Sequence, residues 1–338
     1  MSERYSRQER FAPIGKEGQA ALMDKHAFIV GAGALGSANA EMLARAGVGN
    51  ITIIDRDYIE WSNLGRQQLY TEEDAASMRT KAKAAEQKLK SINSSIRVRG
   101  MIQEFNAENA EDLLEGVDIL IDGTDNFRTR LVINDATSKR RVPWVYGGCL
   151  QSYGLVLSII PGETPCLQCL IDYIPDQGGT CDTVGIIGPA VQTTAAYQTA
   201  ECLKFLTGHP MSPEMVSFDV WGRNYSSINV SKLIDTACPS CSKEAVYPYL
   251  NKEKGLKSDR LCGRNTVHIR PAHSINLSFP LLTKDLETIT SKVKESGEIL
   301  SFQIEEKRFV VFKDGRTLIH GTDDVKEAKE LYQRYIKA

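Results

Sequence analysis

The sequence predicts an α/β protein built around a doubly wound, mainly parallel sheet. Apolar segments of strand length alternate with segments of helix length from about residue 26 to 148, and strands that alternate with helices form parallel sheets. A glycine-rich turn, GAGALG at 31–36, joins the first strand to the helix that follows. The alternation ends near Ser152, so we expect antiparallel strands at that end of the sheet.

The predicted elements can be placed in order along the chain. An N-terminal arm and a helix cover residues 4–24. The series then runs through strand 26–31, helix 34–46, strand 50–55, helix 80–92, strand 95–101, helix 107–114, strand 117–122, helix 127–139 and strand 143–147. GLVLSII, MVSFDVWG and YSSINVSKL are predicted strands, and a long helix lies within 184–206. A glycine-containing crossing loop precedes that helix at 174–185, and we assign residues 1–245 to this domain.

The segment 246–338 predicts a small, separate α+β domain. TVHIRP, EILSFQIEEKRFVVFKD and GRTLIHG have the composition of strands, whereas LTKDLETITSKVKES and DDVKEAKELYQRYIKA are predicted helices. The one cysteine of the segment, Cys262, comes just before a predicted strand. We interpret the segment as non-catalytic, with a docking surface as one use and a sulfur relay through Cys262 as the alternative.

Composition and charge favour a globular protein of the cytoplasm. The chain has 338 residues and a net charge of −2 from 41 basic and 43 acidic residues, which gives no support to binding nucleic acid or an anionic membrane. The start, MSERYSRQERF, has no apolar signal core, and no apolar run reaches the length of a membrane span. We therefore expect a cytoplasmic protein without a membrane anchor.

The glycine turn predicts a nucleotide site. Gly31, Gly33 and Gly36 fit the pattern G-x-G-x-x-G, in which glycine permits a tight turn, close approach of phosphate to the backbone, and close packing of helix on strand. Asp55 follows 19 residues after Gly36, at the end of the next strand, where a carboxylate can bind ribose hydroxyl groups. These features alone also fit a nicotinamide-dependent oxidoreductase.

Two cations after the ribose acid favour ATP over a nicotinamide cofactor. Arg66 lies in the polar run SNLGRQ beyond Asp55, and Lys81 opens the next helix. Both can neutralise phosphate charge, and Asp125 in DGTDN can hold Mg²⁺. Catalysis of phosphoryl or nucleotidyl transfer consists mostly of positioning and charge neutralisation. We interpret the nearby Asp122 as a turn or capping carboxylate.

The cysteines predict a structural metal site. Eight cysteines without a secretion signal argue against a disulfide framework. Four of them form the pairs Cys166–Cys169 and Cys238–Cys241, each with two residues between, and two such pairs can supply four thiolates to a tetrahedral Zn²⁺. Residues 170–237 separate the pairs, so the tertiary fold must bring them together. Unrelated thiol pairs or a redox pair remain alternatives.

Together these motifs resemble one enzyme family. Ser6-Arg7-Gln8, GAGALG, Asp55, SNLGRQ, Lys81, DGTDN and the two cysteine pairs occur in the order found in the MoeB/ThiF/HesA group. The resemblance covers about residues 1–243. Members of that group adenylate ubiquitin-like sulfur-carrier proteins and are related to the ubiquitin-activating enzymes. The implied fold is Rossmann-like with a zinc knuckle, and the implied cofactors are ATP, catalytic Mg²⁺ and structural Zn²⁺.

The resemblance also implies roles for individual residues. Gly31, Gly33 and Ala34 would let the backbone approach the nucleotide, Asn63 would contact phosphates, and Asn126 would act beside Asp125 at the nucleotide and Mg²⁺. Arg7 would reach across a homodimer interface to the partner's ATP. Cys181, in the crossing loop, would bond covalently to the carrier, although no basic residue adjoins it in sequence to lower its pKa.

The resemblance leaves the pathway open. The carrier would be of the ThiS type, for thiamine thiazole synthesis, or of the MoaD type, for molybdopterin, and a cysteine desulfurase or another donor would supply the sulfur. A C-terminal tail of this kind favours the ThiF branch. A non-catalytic scaffold that retains the fold is a further alternative.

Overall fold

A computed structural model describes residues 3–171, 184–251, 257–260, 265–271 and 275–336. Cys181, Cys262 and most of the predicted crossing loop lie outside these residues. The described residues form two compact units, one of residues up to 75 and 81–252, the other of residues 76–80 and 253–338. The assignment of independent domains at 1–245 and 246–338 stays a prediction.

The described helices and strands follow the chain in this order. The helices are α1 (Gly15–Leu22), α2 (Ala34–Ala46), α3 (Glu72–Ala76), α4 (Lys81–Ile92), α5 (Ala110–Leu113), α6 (Phe127–Arg140), α7 (Leu167–Leu170), α8 (Gly188–Leu206), α9 (Phe279–Glu287) and α10 (Val325–Tyr335). The strands are β1 (His26–Val30), β2 (Asn50–Ile54), β3 (Arg97–Met101), β4 (Ile119–Asp122), β5 (Trp144–Leu150), β6 (Tyr153–Ile159), β7 (Glu214–Asp219), β8 (Asn224–Asn229), β9 (Lys257–Arg260), β10 (Thr266–Arg270), β11 (Val293–Ser296), β12 (Ile299–Ile304), β13 (Lys307–Phe312) and β14 (Thr317–His320).

The first unit contains an eight-stranded sheet in the order β3-β2-β1-β4-β5-β6-β7-β8. Strands β3 to β5 in this order are parallel, and β6, β7 and β8 add antiparallel strands. This confirms the predicted fold class. The strand order reverses between β1 and β4, which is the point of a doubly wound sheet where ligands bind.

Helices cover both faces of this sheet. Leu43 of α2, Leu89 of α4 and Leu206 of α8 belong to one buried apolar cluster, whereas Ile133 of α6 and Leu167 of α7 belong to another. Burial on both faces explains why β1, β2 and β4 are almost continuously apolar.

The N-terminal arm is anchored to the first unit by its tyrosine. Tyr5 is buried and its hydroxyl accepts a hydrogen bond from Asn93 Nδ2 at 2.8 Å. A Cβ atom at Gly47 would lie 2.6 Å from the Tyr5 ring, so only glycine fits there. An arm and a helix were predicted for 4–24, and the helix is α1, preceded by a short 3-10 turn at Glu3–Tyr5.

The second unit contains a six-stranded antiparallel sheet in the order β11-β12-β13-β14-β10-β9. Phe302 and Phe309 stack on its apolar side with ring centroids 4.5 Å apart, beside buried Tyr332 of α10. The prediction of one helix over LTKDLETITSKVKES was wrong at its end, because α9 stops at Glu287 and β11 follows. Thr288, Ile289 and Thr290 are β-branched and disfavour helix.

Candidate functional site

The glycine turn after β1 packs closely against the turn after β4. Gly31 has φ +91°, and an added Cβ would lie 2.6 Å from the Gly123 carbonyl oxygen, whereas at Gly36 it would lie 1.8 Å from the Gly31 carbonyl oxygen. Glycine is therefore required at both positions by packing and conformation. Gly33 differs, because its nearest atom would be 3.9 Å away. Gly33 and Ala34 thus border open space at the start of α2.

The carboxylate of Asp55 is held by the backbone of this turn. Its Oδ2 accepts a hydrogen bond from Ala32 N at 2.6 Å, and its Oδ1 accepts one from Asp57 N at 2.6 Å. Burial raises the pKa of Asp55, and Lys81 opposes this shift while Asp57 adds to it. The side chain is fixed at the carboxyl end of β2, where the sequence predicted the ribose acid.

Lys81 lies in the same place and is buried. Its Nζ is 3.6 Å from Asp57 Oδ2, and its backbone amide donates to the Asp57 carbonyl at 3.0 Å. The Lys81 side chain is 8% exposed, unlike Lys83 and Lys90 of the same helix. Lys81 is therefore a buried cation held beside the carboxylates of Asp55 and Asp57.

The run SNLGRQ forms a short turn after β2. Asn63 is buried, and its Oδ1 accepts a hydrogen bond from Glu60 N at 3.0 Å. Within the described residues, Asn63 Nδ2 and Gln67 Oε1 are buried without a hydrogen-bond partner, which is costly unless a ligand or water satisfies them. Gln67 Nε2 is the side-chain atom nearest to an added Cβ at Gly33. Arg66 donates from Nη1 to the Ser62 carbonyl at 2.9 Å.

The turn after β4 is organised by a buried ion pair. Arg130 Nε donates to Asp122 Oδ2 at 2.8 Å, and Asp122 Oδ1 accepts from both the amide and the hydroxyl of Thr124. Arg130 Nη2 also donates to the carbonyl oxygens of Thr124 and Gly147. Burial lowers the pKa of Arg130, but the charge and hydrogen bond of Asp122, together with the charges of Tyr146 and Asp125, outweigh burial and raise the pKa. Asp122 is thus a turn carboxylate, as predicted, and also a buried ion-pair partner.

Asp125 and Asn126 stand exposed at the start of α6. Asn126 is the N-cap, with its Oδ1 accepting from Thr129 N at 2.9 Å and its Nδ2 donating to Asp125 Oδ1 at 3.3 Å. The charge of Asp125 contributes to the raised pKa of both Arg56 and Arg130. These acidic and basic groups therefore share the carboxyl edge of β2 and β4.

Of two further predicted site residues, one has no contact with this cluster among the described interactions and the other is not described. Arg7 is exposed on the N-terminal arm, and Cys181 is outside the described residues. The structure places Gly31, Gly33, Asp55, Lys81 and Asp125 at one edge of the sheet, and their individual roles stay predictions.

The four paired cysteines come together in the fold. The Sγ atoms of Cys166 and Cys169 are 3.7 Å apart, those of Cys166 and Cys238 3.6 Å, and those of Cys169 and Cys241 3.5 Å. All four lie within 4.8 Å of one another and could hold a metal ion. Tetrahedral Zn²⁺ with a metal–sulfur distance of about 2.3 Å needs sulfur atoms about 3.8 Å apart, so the spacing fits. Hydrogen bonds from Cys166 and Cys241 lower the pKa of Cys169.

Sequence reasoning missed Asp57 and Arg130. Asp57 comes two residues after the ribose acid and pairs with Lys81; the only signal was a second acid at the end of a strand. A buried role for Arg130 was indicated even less by the sequence, because an arginine near the start of a helix is usually exposed to solvent.

The fold and site define a class: an α/β protein with a doubly wound sheet, a glycine turn at the switch point of that sheet, and four thiols that could hold a metal ion. Comparison with known proteins identifies the family, because residues 5–240 match the ThiF family. The chain belongs to the ThiF family. Its relatives include the sulfur carrier protein ThiS adenylyltransferase of Bacillus subtilis, 47% identical over 99% of this chain and 100% of that one.

Two further relatives cover only part of the chain. The ThiS adenylyltransferase of Escherichia coli is 32% identical over 72% of this chain and 97% of its own length. A crystal structure of Escherichia coli MccB with ATP has a TM-score of 0.59 and 24% identity, covering 72% of this chain and 75% of that one. The second likeness concerns the fold alone.

Among the described residues, no helix combines the length and apolar character needed to cross a membrane.

Proposed function

We propose that this protein uses ATP to adenylate the C-terminal glycine carboxylate of a ThiS-type, ubiquitin-like sulfur carrier and releases pyrophosphate. One observation carries the proposal: the similarity to the Bacillus subtilis ThiS adenylyltransferase extends over both whole chains. The similarity therefore includes the C-terminal segment, whereas the match to the Escherichia coli enzyme covers 72% of this chain.

The chemistry explains the need for ATP. A carboxylate is a poor acylating agent, and its oxygen must first attack the α-phosphorus of ATP. The bond from that phosphorus to the pyrophosphate breaks, and the carrier is left as an acyl adenylate. Sulfur from a separate donor, such as a cysteine desulfurase, can then displace AMP.

The residues at the sheet edge suit this reaction. Asp55 would bind the ribose, Gly31, Gly33 and Ala34 would border the phosphates, and Asn63 would donate its unpaired Nδ2 to a phosphate oxygen. Arg66 and Lys81 would neutralise the charge that builds up as pyrophosphate leaves. Lys81 needs little reorganisation for this, because it is already buried and fixed.

Asp125 would hold Mg²⁺, with Asn126 orienting it. The exposed carboxylate of Asp125 accepts a hydrogen bond from Asn126, and an oxygen ligand of this kind suits a hard cation. The bound ion would neutralise phosphate charge. Asp125→Ala is expected to abolish pyrophosphate release; retained ATP binding without any release in the unmodified protein would instead favour a scaffold.

Two roles involve residues away from this edge. Arg7 would neutralise charge on the phosphates of ATP bound to the partner subunit of a homodimer. Where Cys181 takes part, its thiolate, and not the donor sulfur, would displace AMP from the acyl adenylate and form a thioester with the carrier; the donor sulfur would then attack this thioester, with the Cys181 thiolate as leaving group. Mass spectrometry of Cys181→Ser after a single turnover tests the second role, with Cys202→Ser, a buried cysteine, as control. Zn²⁺ in the four-thiol site and a cytoplasmic location complete the proposal.

The decisive experiment is ATP–pyrophosphate exchange with purified ThiS-type and MoaD-type carriers, tested separately. Arg66→Ala and Lys81→Met are expected to lower the exchange rate by about 100-fold or more, as removal of a charge-stabilising group does. Arg99→Ala and Lys83→Met remove exposed charges from β3 and α4 and should leave the rate unchanged.

Each outcome of that experiment decides something. Exchange with the ThiS-type carrier alone supports the proposal, and exchange with the MoaD-type carrier alone moves the protein to the molybdopterin pathway. No exchange with either carrier would overturn the adenylation proposal, and binding of NAD without ATP would favour an oxidoreductase.

A further inference from the structure

Asn134 of α6 contacts the four-thiol site with both ends of its side chain. The residue is completely buried. Its Oδ1 accepts a hydrogen bond from Leu167 N at 2.8 Å, and its Nδ2 donates to Cys166 Sγ at 3.6 Å. Leu167 follows Cys166 directly, so one amide fixes both a ligand sulfur and the backbone beside it.

The adjacent residue connects the same turn of α6 to the second cysteine pair. Asp135 is completely buried, and its Oδ2 accepts a hydrogen bond from Tyr249 N at 2.7 Å. The segment leading to Tyr249 folds back on the second pair, because Val246 N and Tyr247 N both donate to the Pro239 carbonyl. The two cysteine pairs, far apart in sequence, are thus both tied to α6.

A thiolate site needs such support for an electrostatic reason. Four thiolates around a divalent cation leave a net negative charge, and N–H groups that point at the sulfur atoms stabilise it. Asn134 Nδ2 is a side-chain donor in that position. Groups outside the ligand shell also orient the ligands before the metal arrives.

We propose that Asn134 is the positioning residue of the four-thiol site, setting the orientation of Cys166 and stabilising its thiolate. The inference rests on the four thiols binding a metal. The metal content of the unmodified protein tests that separately, and neither measurement depends on adenylation.

Two substitutions separate the two contacts of Asn134. Asn134→Asp has the same shape and keeps an acceptor for Leu167 N, but it replaces the donor to sulfur with a negative charge. Asn134→Leu fills the space and removes both contacts. Thr137→Val is the matched control, because Thr137 is buried on the same helix and, among the described residues, its hydroxyl bonds only within α6.

The readout is the affinity of each holoprotein for Zn²⁺, from competition with a chromophoric chelator. Both Asn134 variants are expected to lose about 10- to 100-fold in affinity, as is usual for groups that support metal ligands. The thiolate-to-metal charge-transfer band of the Co²⁺-loaded proteins should shift in these variants and stay unchanged in Thr137→Val.

Three results would overturn the proposal. They are unchanged metal affinity in both folded Asn134 variants, an equal loss in Thr137→Val, or an unchanged Co²⁺ spectrum. Hydrogen exchange in the unmodified holoprotein gives a test without substitution, since the Leu167 amide should be protected. Exchange at the rate of an open amide would also refute the role.

Discussion

The buried ion pair between Asp122 and Arg130 offers the sharpest test of the site's architecture. Both side chains are nearly or fully inaccessible, at 0% and 8% exposure. Replacing Arg130 with methionine keeps an apolar stem of similar length but leaves the Asp122 carboxylate without its ionic partner. The Thr124 amide and hydroxyl still donate hydrogen bonds to that carboxylate, and these bonds continue to stabilise part of its negative charge.

The expected cost is about 4 kcal/mol in the free energy of unfolding. Breaking a buried pair from one side costs about 3–5 kcal/mol. Arg130 also donates to the carbonyl oxygens of Thr124 and Gly147, and each lost hydrogen bond adds about 1 kcal/mol. The remaining Thr124 contacts reduce the total. The double variant Asp122→Asn/Arg130→Met removes the stranded charge and should recover about 2 kcal/mol.

Urea unfolding of the two single variants, the double variant and the unmodified protein measures the cycle. Arg140→Met removes an exposed arginine from the last turn of the same helix and should change stability by no more than about 0.5 kcal/mol. If Arg130→Met costs as little as Arg140→Met, or if the cycle shows no coupling, the pair does not organise the turn before Asp125.

Three other predictions concern packing, pH and the metal site. Gly36→Ala places a Cβ 1.8 Å from the Gly31 carbonyl oxygen and is expected to cost at least about 3 kcal/mol by thermal unfolding; Gly65→Ala, which meets nothing within 4 Å, should be nearly neutral, and equal losses would contradict the packing argument. Burial raises the pKa of Glu86, but hydrogen bonds from two lysines and a backbone amide lower it from 4.5 to about 2. Its contribution, about 1 kcal/mol after solvent screening, is therefore present above pH 4.5 and is lost as the pH falls through about 2. The stability difference between Glu86→Gln and the unmodified protein should accordingly shrink between neutral pH and about pH 3 in urea titrations, and a constant difference would refute it. Cys238→Ser should lose metal and lower Tm by about 5 °C or more, whereas a Tm equal to that of the metal-loaded protein would contradict a structural metal.

The fold could be predicted because the local pattern and the tertiary structure agree. Strands buried on both faces are continuously apolar. The change to antiparallel pairing is marked by the direct succession of β5 and β6, and of β7 and β8, without a helix between them. The prediction was wrong at β11, where residues 293–296 were assigned to a helix. The segment is a strand because it pairs with β12. Hydrophobic periodicity alone could not distinguish so short a polar strand from the end of a helix.

The site could be predicted in part. Gly31, Gly36 and Asp55 are constrained by local geometry that a motif records. Contacts between residues far apart in sequence could not be predicted from a local motif. Lys81 pairs with Asp57, and Arg130 donates a hydrogen bond to the Gly147 carbonyl of β5. Asn134 shows the same limit, since its partners lie 32 and 33 residues away.

One helix links the two proposed sites within the first unit. Helix α6 begins at the Asp125–Asn126 pair, carries Arg130 on its second turn, and reaches the cysteines through Asn134. A helix has no second packed state by itself, and coupling between sites needs an element with two discrete arrangements. The metal should therefore contribute to stability and have little effect on nucleotide affinity. Chelation is expected to lower Tm while the KM for ATP stays constant in the protein that remains folded.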